Sequence, residues 1–350
     1  MLITVLMSVY NTEERWLRAA VDSILRQTIE DFEFIIVTDC PSDNSVNIIK
    51  EYAIKDRRIR LIENENNMGL TKSLNRGLGL AKGKYIARMD ADDISLPYRF
   101  ERQVRYLEDH EEAVAVGCRC STTNTRIPVL NDWIDDTEIM RIRMLFRNAG
   151  LPHPTAMIRH EVLKSNSLRY TEWVKKSQDY KLWVDLLPFG KLVLLPDILF
   201  IYREHASQVS ANGASLTFAH QIAIEQAENF LGKMTDREKE LHCTASEIEI
   251  PQNDVRGLAN YYDRLLKANS DRKLYDQEKL KIEIDYMWCQ KAFRRLKILK
   301  SPDMLLNKRT LHILHPTLFK YVRENKKRTT DYVDAIKRFQ QGIQNNYIQE

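Results

Sequence analysis

No run in this 350-residue chain approaches eighteen uninterrupted apolar residues, so no segment is expected to cross a bilayer as a helix. A basic leader followed by an apolar run is also missing. The chain enters a strand-like segment at Met1-Leu2-Ile3-Thr4-Val5, and no secretory signal is read. Cysteine is sparse and odd in number: Cys40, Cys118, Cys120, Cys243 and Cys289 lie scattered. Cys118 and Cys120 stand too close for the usual zinc-finger spacing, and no histidine pair accompanies them. The expectation is a cytosolic protein with reduced thiols. Neither an internal repeat nor a low-complexity tract is present.

A hydrophobic fraction of 43% is enough for a real core, and the length suits one large α/β domain with a smaller appendage. Apolar runs at Ile3–Val9, Phe34–Val37, Tyr85–Met89 and Ala113–Gly117 read as strands, as does Arg58–Glu63, shorter and polar at its ends. Between them, Thr12–Arg26, the segment opening at Ser42, Leu70–Leu80 and Pro97–Leu107 read as helices. That alternation predicts an α/β fold with a doubly wound, mostly parallel sheet. The pattern weakens over residues 121–144. Pro152–Ile158 then reads as extended, Asp179–Leu187 as helix, and Lys191–Leu195 and Ile198–Tyr202 as two short strands. Val209–Ser215 is the best linker candidate, and everything beyond it is helical in character. The expected division is 1–212 and 213–350.

The net charge of +4 conceals an asymmetry: residues 291–330 carry twelve Lys or Arg against two acids, leaving −6 for the rest. Such a stretch suits an anionic membrane surface or nucleic acid, and the competing reading is a solvated helix face. Interleaved apolar residues such as Phe293, Leu296, Ile298 and Leu299 suit an interfacial helix, so nucleic acid is not the expected partner.

The richest chemistry lies at Lys84-Tyr85-Ile86-Ala87-Arg88-Met89-Asp90-Ala91-Asp92-Asp93. An apolar strand runs into three carboxylates within four positions. Charges that close need a cation or solvent to compensate them, and at the carboxyl edge of an open α/β sheet a divalent ion does so economically. The alternative is a solvated loop. Two further loops should converge there: Ser8-Val9-Tyr10-Asn11, and Thr38-Asp39-Cys40-Pro41-Ser42-Asp43-Asn44. Asp39, a carboxylate at a strand end, can accept from a uracil imide or a ribose hydroxyl.

Together these segments resemble the family 2 glycosyltransferases of the GT-A fold. The resemblance is carried by Val5–Asn11, Ser23–Thr28, Asp39 with Asp43-Asn44-Ser45, and Asn67-Met68-Gly69-Leu70. It continues through Ser73-Leu74-Asn75-Arg76-Gly77, Ala81–Arg88, Met89–Asp93 and Pro97–Phe100, covering roughly the first 210 residues. It implies a GT-A-like sheet with a helical C-terminal region, in an enzyme that moves a sugar from a nucleotide-diphosphate donor. A UDP-sugar is the expected donor, and a glycan or lipid-linked saccharide, as in bacterial surface polysaccharide or lipooligosaccharide, the expected acceptor. Asp90-Ala91-Asp92 resembles the metal-binding DXD element. Ser8, Tyr10, Asn11, Asp39, Asn67, Arg88, Asp90 and Ala91 are then donor contacts. Asp92, Asp90 and His205, the last in Tyr202–Ser210, become holders of Mg2+ or Mn2+. Ser177–Trp183 resembles the Glu-Asp motif with Gln178 before Asp179. Asp179 becomes the base of an inverting displacement, and His153 and Gln178 line the acceptor pocket.

Two departures stand out. Thr38 replaces one of two adjacent acids, and Leu74 stands where many members carry an arginine that contacts the pyrimidine. Two other classes are weighed against the transferase. A non-catalytic nucleotide-sugar-binding module would lack need of Asp179. A metal-dependent phosphatase would carry its Asp-x-Asp after the first strand, where this chain has Ser8–Asn11.

Overall fold

In the computed structural model, residues 1–123, 136–205, 215–245, 254–296 and 316–347 are described. Ile3–Val9 (β1) shows no alternation of apolar and polar positions, the mark of a strand covered on both faces. It lies between two parallel neighbours, Phe32–Thr38 (β2) and Tyr85–Asp90 (β4), with Ile59–Glu63 (β3) beyond β2. Ile94–Ser95 (β5), Ala113–Thr122 (β6), Met157–Arg159 (β7) and Lys191–Tyr202 (β8) complete a sheet ordered β3-β2-β1-β4-β7-β6-β8-β5. β7 pairs antiparallel with β4 and β6, and β5 antiparallel with β8. The remaining pairings are parallel. The sheet is therefore α/β and mostly parallel, as expected.

The helix Glu14–Leu25 (α1) buries Leu17, Ala20, Val21 and Ile24, the i, i+3, i+4, i+7 stripe that its sequence predicts. Ser45–Lys55 (α2), Leu70–Leu78 (α3) and Arg99–Asp109 (α4) fill the other connections. Three details differ from the sequence reading. The two short strands expected around Pro196-Asp197 are one strand, β8. Its ladder slips there, Leu195 facing Cys118 and Ile198 facing Arg119, because proline brings no N–H to the ladder. Pro152–Ile158 is extended only at its end, its first part forming a 3-10 turn at His153–Thr155. Thr137–Met144 (α5) is helical where the pattern had faded.

One compact unit comprises residues 1–137, 150–215 and 336–350, and a second comprises 138–149 and 216–335. The sequence reading drew a single boundary after residue 212. Residues 138–149 belong with the helices because Ile142, Leu145 and Phe146 are buried among Phe230, Tyr262, Leu265 and Trp288. In the first unit, His160–Ser165 (α6) and Gln178–Leu186 (α7) precede β8. Ser215–Leu231 (α8), Asp236–Cys243 (α9), Val255–Arg272 (α10), Gln277–Leu296 (α11) and Pro316–Tyr347 (α12) follow it. No helix among the described residues is long and apolar enough to cross a membrane.

Of the basic stretch 291–330, residues 297–315 lie outside the described residues. Lys291 is not a surface charge: it is fully buried and donates to the Thr244 carbonyl at 2.9 Å. In the same unit Arg143 and Glu283 form a buried two-pronged pair at 2.9 and 3.0 Å.

What positions the acidic turn is a buried glutamine. Gln27 Nε2 donates to the Leu96 carbonyl at 2.8 Å and to Ser95 Oγ at 3.1 Å, while Oε1 accepts from the Phe100 N–H at 3.1 Å. Ser23 Oγ accepts from the Ser95 N–H, so the Ser23–Thr28 motif pins the chain that leaves Asp93. Gln27→Ala would strand the Phe100 N–H in a dry place, while the Leu96 carbonyl keeps the Arg99 N–H at 3.0 Å. We expect a loss of about 1–3 kcal/mol in urea unfolding, roughly one unsatisfied buried group.

A second stability prediction concerns pH. His242 is fully buried, its Nε2 within 3.0 and 3.1 Å of the Leu145 and Ala223 carbonyls, and Nδ1 2.7 Å from the Tyr261 hydroxyl. The Phe146 ring and the charge of His220 also face it. Burial pulls the imidazole down to about 4, against the raising effect of the two carbonyls. Between pH 4 and 6.5 the unfolded chain therefore binds more protons at this site, and stability falls as pH falls through that window. The stability gap between wild type and His242→Gln should narrow by about 3 kcal/mol between about pH 7.5 and about pH 4 in urea titrations.

Candidate active site

Three loops meet at the carboxyl end of β1, β2 and β4. Ser8 lies in register with Val37 on one side and Asp90 on the other. Asn11 has φ +46°, a turn that asparagine tolerates, and its Oδ1 accepts from the Ser42 N–H at 2.8 Å. The first loop is thereby tied to the second. Tyr10, between them, is 52% exposed, with a ring free to lie on a planar base.

Asp39 is buried and organises a third piece of chain. Oδ1 accepts from Asn64 Nδ2 and the Met68 N–H, and Oδ2 from the Gly69 N–H, each at 2.8 Å. Those two N–H groups precede α3, so the carboxylate closes the loop 64–69 over the end of β2. Gly69, at φ +85°, supplies the left-handed turn this requires. A carboxylate oxygen has two lone pairs, so Oδ2 keeps one for a further donor. Asn67 is exposed on the same loop, and Leu74 is packed fully inside.

The acidic turn disposes of its charges separately. Arg88, expected among the direct donor contacts, is 1% exposed; its guanidinium donates to the Met89 carbonyl and to Asp90 Oδ1. It reaches the site only through Asp90. Asp92 Oδ2 lies 2.7 Å from His205 Nε2. Asp93 is buried, its Oδ1 accepting from the Arg203 N–H at 2.8 Å, and Arg203 Nε donates to the Asp92 carbonyl at 2.7 Å. Ala91 is buried between the two outward acids. Withdrawal from water raises the Asp90 carboxyl, with Asp92 and Asp179 adding to the rise and Arg88 opposing it. Burial raises Asp93 further still.

Arg203 and Trp16 carry no role in the sequence reading, yet they shape this corner. The Arg203 guanidinium lies 5.5 Å from the Trp16 ring, and the His205 ring 4.7 Å from it on centroids. Beneath the strand, the buried Arg99 donates to the Arg88 carbonyl at 2.6 Å. Desolvation brings its guanidinium down to about 10, still charged at neutral pH.

Asp179 is the second residue of α7, after Ser177 in the left-handed region at φ +63°. Its charge bears on both Asp90 and Tyr170, which brings it to the same strand end. Gln178 is buried. His153 is buried too, its Nε2 2.8 Å from the Tyr170 hydroxyl and its ring edge-on to Trp183. Burial first, then the charge of Arg88, holds it well below the ordinary imidazole range. Tyr170 has no signal in the sequence: one tyrosine in an irregular segment carries no periodicity.

Among the described residues, no three His, Cys, Asp or Glu side chains assemble a complete metal cage. Asp92 and His205 converge as a pair, with Asp90 two positions away. That donor set fits a cation which completes its shell with substrate phosphates and water.

The Glycosyl transferase family 2 profile matches residues 4–166. An uncharacterised glycosyltransferase of Methanocaldococcus jannaschii is 36% identical over 206 residues, 58% of this chain and 70% of its own. The amylovoran biosynthesis glycosyltransferase AmsE of Erwinia amylovora is 30% identical, over 60% of this chain and 79% of its own. Among solved structures, Staphylococcus aureus TarS 1–349 in complex with UDP-GlcNAc superposes with TM-score 0.55 at 16% identity, covering 98% of this chain and 92% of that one. A Pyrobaculum calidifontis mannosyltransferase in complex with GDP-Man and Mn2+ gives 0.52 at 15% identity, covering 95% and 85%. At such identities the structures speak for the fold, which is GT-A-like, and the sequence relatives for the family: the chain belongs to the family 2 glycosyltransferases.

Proposed function

We propose that this transferase moves a sugar, with inversion, from a nucleotide-diphosphate donor to a hydroxyl of a glycan or lipid-linked saccharide. The carrying observation is the meeting of the Asp92–His205 pair, Asp90 and Asp179 at one strand end. UDP-sugars are the favoured donors. Asp39 Oδ2 retains an acceptor site for an imide N–H, and TarS, of similar fold, was solved with UDP-GlcNAc. Tyr10 stacks on the base, and Ser8, Asn11 and Asn67 line its cleft. Asp90, held by Arg88, meets the ribose, with the Ala91 backbone beside the diphosphate.

Asp179 removes the proton from the acceptor hydroxyl as its oxygen attacks the anomeric carbon. The bond from that carbon to the diphosphate oxygen breaks on the opposite face, and the configuration inverts. A well-placed base contributes roughly 10²–10⁴-fold. Asp92 and His205, with Asp90 near, would hold Mg2+ or Mn2+, which would neutralise charge on the departing diphosphate. His153 and Gln178, both buried, back the acceptor side. The name of AmsE supports a surface-polysaccharide acceptor. The excess of Lys and Arg over residues 291–330, Lys291 apart, supports work at an anionic membrane surface on the cytoplasmic side.

Asp179→Asn keeps the shape but cannot take the proton. Turnover should fall roughly 10²-fold or more with donor affinity nearly unchanged. Turnover above about a tenth of wild type would assign the base elsewhere. Activity should also vanish with excess EDTA and return with Mn2+ or Mg2+. Asp92→Ala should weaken Mn2+ binding measured directly by electron paramagnetic resonance. Full activity in chelator would remove the metal assignment from Asp90, Asp92 and His205 together.

A further inference from the structure

Between α6 and α7 the chain has no regular structure, yet its backbone is bolted to α3. The Tyr170 N–H donates to Asn75 Oδ1 at 2.9 Å, and Asn75 Nδ2 donates back to the Tyr170 carbonyl at 2.8 Å. One turn earlier on α3, Thr71 Oγ1 donates to the Val174 carbonyl at 3.2 Å. A further bond from the Val174 N–H to the Thr171 carbonyl, 3.0 Å, closes the turn between the two anchors. The side chains of Tyr170 and Val174 are both buried. Trp173, held between them, is 46% exposed.

An indole exposed to this extent on a segment so firmly placed still offers apolar surface to a ligand: covering the exposed part would bury roughly 70–115 Å², about half of what a whole aromatic side chain buries. Other exposed aromatic side chains, Tyr98 and Phe189, lie at a helix start and in a short 3-10 turn. Trp173 differs in its surroundings. It stands six residues before Asp179, and its neighbour Tyr170 both feels the charges of Asp179 and Asp90 and bonds His153. Tyr10, the other exposed ring at the sheet edge, belongs to the β1 loop and hence to the donor side.

We propose that Trp173 is the stacking platform for the acceptor saccharide, a specificity-determining contact placing the acceptor's hydroxyl toward Asp179. This rests on the transferase reading above. A pyranose presents a face of C–H groups to an aromatic ring and keeps its hydroxyls at the rim for hydrogen bonds. Because Asn75 and Thr71 have already ordered the backbone, little conformational entropy remains to be lost when the sugar docks. The platform accepts a saccharide by its shape and leaves the choice of linkage to the polar groups around it.

The test is a microarray of bacterial surface saccharides probed with the full chain in the presence of UDP and Mn2+, alongside calorimetric titration with UDP alone. Trp173→Ala should lower saccharide retention about tenfold, Trp173→Phe should keep it within about threefold, and UDP affinity should be the same in all three proteins. Three results would overturn the platform: retention unchanged in Trp173→Ala, UDP affinity lost in parallel with saccharide, or wild type binding UDP but no saccharide on the array. Loss of binding to anionic vesicles with saccharide binding intact would make Trp173 a membrane contact instead. A wild-type protein that binds no nucleotide diphosphate would bring down the transferase reading itself, an outcome distinct from those.

Discussion

Three carboxylates leave one strand within four positions, and the site exists because each meets a different partner. At about 4 Å and an effective dielectric near 20, two like charges repel by about 4 kcal/mol, so the turn could not close with all three facing the same space. Arg88 reaches up from inside the sheet to Asp90. His205 comes across from the end of β8 to Asp92. Asp93 is turned inward and tied to the backbone of Arg203, two residues before His205. The inward acid thus fixes the segment that delivers the histidine to the outward one. Removing the negative turn would take from Arg203 and His205 the acids that draw them to this strand end, and removing them would leave the turn overcharged.

The family motifs divide into those that touch chemistry and those that carry it. Gln27 and Arg99 sit in stretches that the resemblance singles out, yet both are buried and bond backbone. Gln27 sets the exit of the acidic turn, and Arg99 grips the carbonyl of Arg88 from below. Helix α3 plays a comparable part on the other side. Its N-terminus is closed by Asp39, and its length offers Thr71 and Asn75 to the segment before α7. The loop closed by Asp39 and the loop preceding Asp179 are thereby fastened to a single element, so the proposed donor and acceptor sides share one frame.

The parallel strands were readable because burial on both faces leaves an unbroken apolar run, as in Ile3–Val9. β5 was not, since two residues cannot show a period, and β7 was read only as the end of a longer extended segment. Pro196 misled in a different way: it interrupts an apolar run without ending the strand, because the ladder absorbs it as a slip in register. At the site, Asp90 and Asp92 were readable as carboxylates clustered at a strand end, whereas Asp179 took its role from the resemblance. His205 came only through the resemblance, for nothing local marks a residue whose partner lies 113 positions away. Arg88, a donor contact by the resemblance, and Lys291, counted with the basic stretch, are both buried: Arg88 bonds Asp90 and the Met89 carbonyl while its Nε stays unpaired, and Lys291 bonds the Thr244 carbonyl.

The antiparallel strand β7 arranges the residues on the proposed acceptor side. Inserted between β4 and β6, it sets the 3-10 turn His153–Thr155 against β4, where the Ala156 carbonyl accepts from the Arg88 N–H at 2.8 Å. His153 is thus within the field of Arg88. Burial and that positive charge together leave its imidazole with little affinity for a proton. Tyr170, its hydrogen-bonding partner, is pushed the other way by burial and keeps its phenol protonated. A general base needs a proton affinity near the working pH, and neither group has it. Asp90 is committed to Arg88, Asp92 to His205 and Asp93 to the Arg203 backbone. Among the carboxylates gathered at this strand end, Asp179 is the one that enters from α7 instead of the acidic turn. The element that places it follows directly on the anchored segment bearing Trp173, so the proposed base and the proposed acceptor platform are both set by the same few bonds to α3.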